Sequence, residues 1–141
     1  MKRVIIVNGP NLNLLGKREP DFYGLVRFES FFETLKKKKY FSGIEIIYRQ
    51  SNHEGSIVDL LQEVGFSTEV GIVLNAGAYT HTSIAIADAI RSIPSKVIEV
   101  HMTNIYAREH YRKQSFISSV CDGSICGFGL RSYELAIMAL I

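Results

Sequence analysis

Short apolar runs alternate with helical patterns five times along this chain, and this alternation limits the folds that it can adopt. The first run is short and continuous, which is typical of a strand buried on both faces. The predicted strands are Val4–Val7, Ile44–Tyr48, Val70–Leu74, Lys96–His101 and Ser124–Gly129. Because helical patterns separate consecutive strands, the sequence predicts an open parallel sheet with helices on both faces.

We predict a single α/β domain over residues 1–141, built on a doubly wound, flavodoxin-like sheet of five parallel strands in the order 2-1-3-4-5. A chain of 141 residues has an ordinary size for one domain and is long enough to bury a core. In such folds, ligands bind beyond the carboxyl ends of the strands, near the point where the strand order reverses.

Charge and composition exclude several classes of protein. The formal net charge of +2 gives no electrostatic case for binding nucleic acid or an acidic membrane. No apolar run is long enough to span a bilayer, and the first residues lack the features of a signal peptide. Cys121 and Cys126 fit a reduced chain better than a disulfide framework or a zinc site. We therefore expect a globular cytoplasmic protein.

Sequence signatures of nucleotide and metal binding do not occur. The chain contains neither Gly-x-Gly-x-x-Gly nor a Walker phosphate loop. The histidines lie in separate predicted elements, without a supporting carboxylate pattern: His53, His81, His101 and His110. We therefore expect a protein that uses no cofactor and no metal ion.

The connection after the first strand, residues 8–23, is far longer than the about 2–6 residues that normally join a strand to a helix. It contains Asn8 and Asn11, whose amides can hold polar substrate atoms without adding charge, and later Arg18 and Tyr23. Glycines and prolines allow or fix unusual backbone angles between them. We interpret the segment as a rigid polar floor, Asn8 to Asn13, followed by a hinged lid, Gly16 to Gly24; the alternative is a long solvated surface loop.

Polar side chains follow three strands that are neighbours in the predicted order. Asn8 and Asn11 follow strand one, Asn75 and His81 follow strand three, and His101 ends strand four. Because the carboxyl ends of parallel strands meet at one edge of a sheet, we expect these side chains in one crevice. Amides, imidazoles and guanidinium groups together suit a small, polyhydroxylated, anionic molecule.

Two charged pairs lie close to this crevice in the sequence. Glu99 and His101 are two residues apart on one strand, so they point to the same face, and the carboxylate can hold the imidazole as a general acid. A histidine that only ends a strand is the alternative. Arg108 and Arg112 share a face on a helical turn and suit a carboxylate or several hydroxyls; the alternative is a solvated turn paired with Glu109.

The helix predicted over Ile84–Ile90 is almost entirely isoleucine and alanine, with Asp88 as its only charged residue. A surface helix normally has a polar face. We therefore expect this helix to be covered on both sides, by the sheet and by another subunit. A buried carboxylate needs a partner, so Asp88 is a candidate functional residue.

Helix starts are predicted from local signals. Ser51 followed by Glu54 matches a capping box. Thr80 or Thr82 can cap the helix that follows strand three. Apolar residues from Leu25 to Leu35 recur at helical spacing, which predicts a helix with one buried face.

Four stretches carry recognisable motifs, in this order: Gly9–Gly16 with Arg18, Pro20 and Tyr23-Gly24; Gln50–Gly55; Asn75–Ser83; and Glu99–Arg112. Together they resemble the motifs of the type II 3-dehydroquinate dehydratases, and the match runs through essentially the whole chain. Ala76, often proline in that family, and Thr103, usually serine, are departures that remove no side chain with a catalytic role.

The resemblance implies that water is lost from 3-dehydroquinate to give 3-dehydroshikimate, through an enolate, in the shikimate pathway. It implies Tyr23 as the base with Arg18 beside it, and His101 as the acid, held by Glu99. It implies that Asn11 holds a water on the enolate oxygen.

The resemblance also implies which groups bind the substrate and how the chain assembles. The binding groups are Asn75 and the backbone amides of Met102 and Thr103 for the carboxylate, with His81, Arg112 and Asp88 for the ring hydroxyls. Asp88 would arrive from a neighbouring subunit, because family members form trimers, four of which make a dodecamer.

Three other functions fit the sequence less well. An FMN-binding module of this fold needs a short Ser/Thr-rich phosphate loop after strand one, whereas this loop is long and rich in amides. A receiver-type signalling domain needs acidic residues where Asn8 and Asn75 stand. The third alternative is a homologue that has kept the fold for a structural role, although every proposed catalytic side chain is present.

Overall fold

The structure is a computed structural model that describes residues 1–17, 19, 21 and 25–141. The described residues form five strands and four α-helices, which largely alternate along the chain. The strands are β1 (Arg3–Asn8), β2 (Glu45–Gln50), β3 (Val70–Asn75), β4 (Lys96–His101) and β5 (Gly123–Cys126). The helices are α1 (Phe28–Lys36), α2 (Glu54–Gly65), α3 (Ile84–Arg91) and α4 (Arg131–Leu140).

All neighbouring strands of the sheet are parallel, and their order is β2-β1-β3-β4-β5. The predicted α/β class and the order 2-1-3-4-5 are therefore confirmed. The order reverses between β1 and β3, and Asn8 and Asn75 lie opposite each other at the carboxyl end of that pair. The reversal leaves a crevice at this edge, because the connections from the two strands leave in opposite directions.

Apolar side chains of the sheet pack into two cores, one on each face. On β1, Val4 and Ile6 belong to the core that includes Phe28 of α1, while Ile5 and Val7 belong to the core on the other face. This division follows from the alternation of side chains along a strand. Helices α1 and α4 cover the first face, and α2 and α3 cover the second. Burial on both faces explains why the strands are apolar runs rather than alternating patterns.

Two boundaries differ from the sequence prediction. The fifth strand is shorter, because Gly127 and Gly129 have φ angles of 98° and 60°, which no strand contains. The helix predicted from the apolar residues Leu25 to Leu35 begins later than predicted, at Phe28. Arg27 has extended backbone angles (φ −70°, ψ 146°), so α1 begins after it, and Leu25 is 76% exposed.

Both predicted helix caps are wrong. The Ser51 hydroxyl accepts a hydrogen bond from the backbone of His53 at 3.0 Å, and His53 is the extended residue before α2. Helix α3 is capped by Ser83, whose hydroxyl accepts from the Ile86 amide at 2.9 Å. Thr80 is buried in the turn before the helix. Several neighbouring hydroxyls could cap this helix. Ser83 is the residue that does so, because its backbone angles are the extended ones of an N-cap residue.

Helix α3 has one covered face and one open face in the single chain. Its buried residues are Ile86, Ala87, Ala89 and Ile90. On the other face, Ile84 is 60% exposed, and the Asp88 carboxylate is exposed and forms an ion pair with Arg91. Cover from a second subunit therefore stays a prediction.

Among the residues that the structure describes, every helix is too short or too polar to cross a bilayer.

The loop after β1 lies directly against the loop after β3. The backbone N–H of Gly9 donates to the carbonyl oxygen of Asn75 at 2.7 Å. A Cβ atom on Gly9 would lie 2.5 Å from the carbonyl oxygen of Ala76, closer than two such atoms can approach. Glycine at position 9 therefore allows the two loops to meet at the crevice.

Tyr133 of α4 joins the carboxyl ends of β1 and β3. Its hydroxyl accepts a hydrogen bond from Asn75 Nδ2 at 2.8 Å and donates one to Asn8 Oδ1 at 2.9 Å. All three side chains are buried. Buried amides without partners would cost free energy, so this chain of hydrogen bonds both stabilises the strand ends and orients Asn75.

Gly9→Ala should lower the free energy of unfolding by about 1–3 kcal/mol, because the added methyl group forces the two loops apart. Unfolding in urea measures the change. Gly55→Ala is the matched control, since Gly55 lies in the first turn of α2 with open space around it; its stability should stay equal or rise. Equal stability of Gly9→Ala and the unmodified protein would contradict the proposed close contact.

Tyr133→Phe should cost about 1–3 kcal/mol of stability, since it leaves an Asn8 oxygen and an Asn75 N–H buried without their partner. Thermal and urea unfolding report the loss. Tyr106→Phe removes the same hydroxyl from a side chain that is 61% exposed, so it should leave stability unchanged. A Tyr133 variant as stable as the Tyr106 variant would show that the buried hydrogen bonds contribute nothing net.

Candidate active site

A crevice opens at the carboxyl ends of β1, β3 and β4, where the sequence predicted it. It is lined by residues from the strand ends and from the three loops that follow them: Pro10, Asn11, Leu12, Asn75, Gly77, Ala78, His81, His101, Met102, Thr103, Ile105, Arg108 and Arg112. Most of the polar groups that sequence reasoning selected therefore share one surface. The crevice is built from loops on a rigid sheet, as is common for binding sites.

The predicted site residues fall into three groups. Seven line the crevice, namely Asn11, Asn75, His81, His101, Met102, Thr103 and Arg112. Glu99 lies behind His101, and Asp88 lies on the outer face of α3, away from the lining of its own chain's crevice. Arg18 and Tyr23 lie outside the described residues, as does most of the lid predicted around them, so their roles stay predictions.

Asn11 lines the crevice, and its backbone has a conformation that few residues adopt. Its φ of 68° and ψ of −4° are left-handed, and asparagine tolerates that region better than most side chains. Its backbone N–H donates to Asn52 Oδ1 at 3.1 Å. Gln50 Nε2 in turn donates to Asn52 Oδ1 and to the carbonyl oxygen of Gly9, both at 3.1 Å. The segment after β2 thus holds the loop that presents Asn11.

Asn75 has most of its hydrogen-bonding capacity already used. Its Oδ1 accepts from the backbone N–H of Gly77 at 3.1 Å, and one N–H of Nδ2 goes to Tyr133. The remaining N–H of the side-chain amide is the donor that Asn75 can offer to a ligand. This arrangement favours an anionic or carbonyl oxygen as its partner.

Glu99 and His101 form a buried pair, with side chains 0% and 6% exposed. The imidazole Nε2 donates to Glu99 Oε2 at 3.1 Å, which leaves Nδ1 as the ring nitrogen without that partner. Burial alone would raise the pKa of Glu99, but the hydrogen bond and charge of His101, with the hydroxyls of Ser118 and Ser115, lower that pKa to about 2. An ionised carboxylate stabilises the protonated imidazole, so the pair can serve as a general acid.

His81 lies beside His101, with its ring stacked at 6.2 Å between centroids. Its Nδ1 donates to the backbone carbonyl of Gln114 at 2.6 Å, which leaves Nε2 as an acceptor in the neutral ring. Partial burial lowers the pKa of His81; the hydrogen bond to Gln114 opposes this change, but the charges of His101 and Arg112 also lower the pKa, so the net shift is downward. A neutral imidazole of this kind suits a ligand hydroxyl as its donor.

Arg108 and Arg112 bring positive charge to the crevice, and the predicted pairing with Glu109 is present. Both line the crevice, and both also approach Glu109, at 3.7 Å from Arg108 Nε and 2.8 Å from Arg112 Nε. The Arg108 side chain, which is 7% exposed, also reaches Thr103 Oγ1 at 3.5 Å. Two guanidinium groups share one carboxylate, so this wall of the crevice favours an anion.

Sequence reasoning missed the residues that hold these groups from behind. Tyr133 orients Asn75, Gln50 and Asn52 hold the Asn11 loop, and three serine hydroxyls contact Glu99. The Gln50–Gly55 motif was a signal for the contacts of Gln50 and Asn52 with the Asn11 loop, whereas no local pattern marks the others.

Within the described part of the chain, no three His, Cys, Asp or Glu side chains are placed to hold a metal ion.

Comparisons with known proteins agree with this geometry. The family model described as "Dehydroquinase class II" matches residues 2–141. The chain is 52% identical over 139 residues to the 3-dehydroquinate dehydratase of Exiguobacterium sp., covering 99% of this chain and 94% of that protein. It is 53% identical over 141 residues to the 3-dehydroquinate dehydratase of Mesorhizobium japonicum, covering 99% and 97%.

Solved structures show the same likeness. The type II dehydroquinase of Butyrivibrio crossotus superposes with a TM-score of 0.93 at 44% identity, over 99% of this chain and 97% of that one. The type II dehydroquinase of Propionibacterium acnes gives a TM-score of 0.92 at 36% identity, over 99% and 96%. Full-length sequence matches, the sheet order and the crevice agree, and this chain belongs to the class II dehydroquinase family.

Proposed function

We propose that this chain is a type II 3-dehydroquinate dehydratase, which removes water from 3-dehydroquinate to give 3-dehydroshikimate in the shikimate pathway. The observation that carries the proposal is the crevice itself, in a chain of this family: amide, imidazole and guanidinium groups converge at the ends of β1, β3 and β4. These groups match a small anion that carries several hydroxyls.

The reaction begins with removal of a proton next to the ketone, which gives an enolate. Tyr23 is the proposed base and Arg18 the cation beside it, an assignment supported by the motif they share with the family. A free phenol has a pKa near 10 and is scarcely ionised at neutral pH. A nearby guanidinium group favours the phenolate and so supplies part of the free energy of ionisation. Asn11 holds a water on the enolate oxygen, a donor in place before the negative charge develops.

The second step expels the hydroxyl group, and His101 is the proposed acid. The imidazolium keeps its Nε2–H on Glu99 and gives the proton at Nδ1 to the departing oxygen, which leaves as water. The enolate electrons then form the new carbon–carbon double bond and restore the ketone. Acid–base groups of the chain carry every step, so the proposal calls for no cofactor, and we place the reaction in the cytoplasm.

The remaining crevice groups hold the substrate. The N–H of Asn75 that is not used by Tyr133, together with the backbone amides of Met102 and Thr103, takes the carboxylate. Neutral His81 and the Arg112 guanidinium take ring hydroxyls. This division places the fixed donors at the end of the sheet and leaves the imidazole of His101 free to transfer protons.

We further propose that Asp88 acts in the crevice of a neighbouring subunit. The carboxylate is exposed on the open face of α3, next to the exposed Ile84, and is absent from the lining of its own crevice. Covering this face with a second chain would bury Ile84 and bring Asp88 to that chain. The resemblance suggests trimers, four of which make a dodecamer.

Purified protein should convert 3-dehydroquinate to a product whose new double bond is conjugated with a carbonyl group, followed by its ultraviolet absorbance. His101→Ala and Tyr23→Phe should each lower kcat by about 10²–10⁴-fold, through loss of the acid or the base. His110→Ala is the control, because His110 is an exposed histidine outside the crevice lining. An unmodified protein without turnover would favour the structural homologue instead.

Co-expression tests the role of Asp88. Asp88→Ala and Tyr23→Phe should each form oligomers with little activity, whereas mixed oligomers should recover activity at sites that combine Tyr23 of one chain with Asp88 of another. Tyr23→Phe co-expressed with His101→Ala is the control and should recover none, because both residues serve one chain's crevice. Activity of the purified Asp88/Tyr23 mixture no higher than the sum of its parents would place Asp88 outside the neighbouring site.

A further inference from the structure

The Glu99 carboxylate, which is fully buried, is surrounded by hydrogen-bond donors on both of its oxygens. Oε2 accepts from His101 Nε2 at 3.1 Å and from the Ser115 hydroxyl at 2.7 Å. Oε1 accepts from the Ser124 hydroxyl at 2.8 Å and from the Ser118 hydroxyl. An ionised carboxylate offers about four acceptor positions, so these donors fill it. We call Ser115, Ser118 and Ser124 the serine cage.

The direction of the Ser115 hydrogen bond is determined by its other contacts. The Ser115 oxygen accepts from the backbone N–H groups of Ile117 at 3.2 Å and Ser118 at 3.0 Å. Because both lone pairs are occupied, its hydrogen must point to Glu99. The backbone of the loop therefore presents this serine as a donor only, and the carboxylate has to be its acceptor.

The cage joins three parts of the chain around one side chain. Ser124 lies on β5 directly opposite Glu99 in the register of the sheet. Ser115 and Ser118 lie in the loop that leads from the crevice wall to β5. None of the three lines the crevice, so none is placed to touch a substrate there. Their contact with the crevice runs through Glu99 and then His101.

A full set of donors has a chemical consequence for the imidazole. A proton moving from His101 Nε2 to Glu99 would cancel the negative charge of the carboxylate, and the three serine hydroxyls would then donate to a neutral carboxyl group, which is a weaker hydrogen-bond acceptor. The cage therefore keeps the proton on the imidazole and also keeps the carboxylate from rotating away from Nε2. Both effects leave the proton at Nδ1 for the crevice.

We infer that Ser115, Ser118 and Ser124 are positioning residues of the dehydration: they hold Glu99 as a fixed carboxylate, and Glu99 in turn holds the His101 imidazole as the acid. The inference rests on the proposed function for its link to catalysis. It explains why a carboxylate is buried at a place where an apolar side chain would cost less.

Ser118→Ala/Ser124→Ala tests the inference, with Ser119→Ala as the matched control, a neighbouring exposed serine. The double variant should lower kcat about tenfold and change KM less than about twofold, since only the acid is affected. Introduced together with His101→Ala, the same two changes should lower kcat no further. A loss of kcat that persists without His101 would show a merely structural role and overturn the inference.

Ser124→Ala and Ser124→Thr separate the hydroxyl from the shape of the strand. Ser124 is an exposed residue of an edge strand, where threonine is well accommodated, so both variants should fold, as checked by circular dichroism. Threonine should restore the kcat that alanine loses, because it returns the donor to Oε1. Equal kcat for the alanine variant and the unmodified protein would overturn the role of Ser124.

A proton NMR measurement decides the inference without turnover. The Nε2–H of His101, assigned by its loss in His101→Ala, should give a slowly exchanging downfield signal in the unmodified protein and in Ser119→Ala. In the double serine variant this signal should broaden or vanish as Glu99 loses its fixed position. An unchanged signal there would overturn the inference, whereas a protein with the expected signals but no turnover would contradict the proposed function alone.

Discussion

Parallel pairing of β1, β3 and β4 is the constraint on which the rest of the site depends. Asn8 lies opposite Asn75, and Leu74 lies opposite Glu99, so the three strands end close to one level. Backbone hydrogen bonds fix this alignment, and a slip by one residue would turn the side chains of a strand to its other face. Strand alignment therefore decides where the strand-end residues Asn75 and His101 meet, and the loops that follow the strands add Asn11, His81, Arg108 and Arg112 to the crevice.

Four buried polar side chains lie close together at the edge of the sheet where the strands end. Asn8, Asn75, Glu99 and His101 are all buried there, and each costs free energy unless it is hydrogen-bonded. The Tyr133 hydroxyl donates to Asn8 Oδ1 and accepts from Asn75 Nδ2, and the serine cage satisfies the carboxylate. The bonds that make burial tolerable are therefore the same bonds that orient the crevice groups, so stability and orientation cannot be varied separately here.

The two histidines of the crevice show how surroundings divide chemical roles. Their rings lie 6.2 Å apart, yet His101 has an ionised carboxylate behind it, whereas His81 has a backbone carbonyl and lies near positive charge. The first setting stabilises a protonated ring, and the second favours a neutral one. Side chains of one type thus lie in two different electrostatic settings a few ångströms apart.

The sequence alone predicted the five strands and the edge where the polar residues gather, because apolar runs and the position of a residue after a strand are local properties. The strand order was predicted from the known arrangement of the flavodoxin-like fold. Local signals were less reliable at helix starts, where Ser83 caps α3 in place of the predicted threonines. Backbone angles decide that choice, and the capping residue types do not encode them uniquely.

Only the tertiary structure decided which residues stand behind the crevice. Tyr133 bonds to Asn8 across 125 positions of the chain, and Ser124 bonds to Glu99 across 25. Neither contact leaves a period or a motif in the sequence, because each arises where separate elements pack together. The side chains that face the crevice were therefore predictable from strand ends, whereas the hydrogen bonds that hold them depend on how the sheet, α4 and the loop before β5 meet in space.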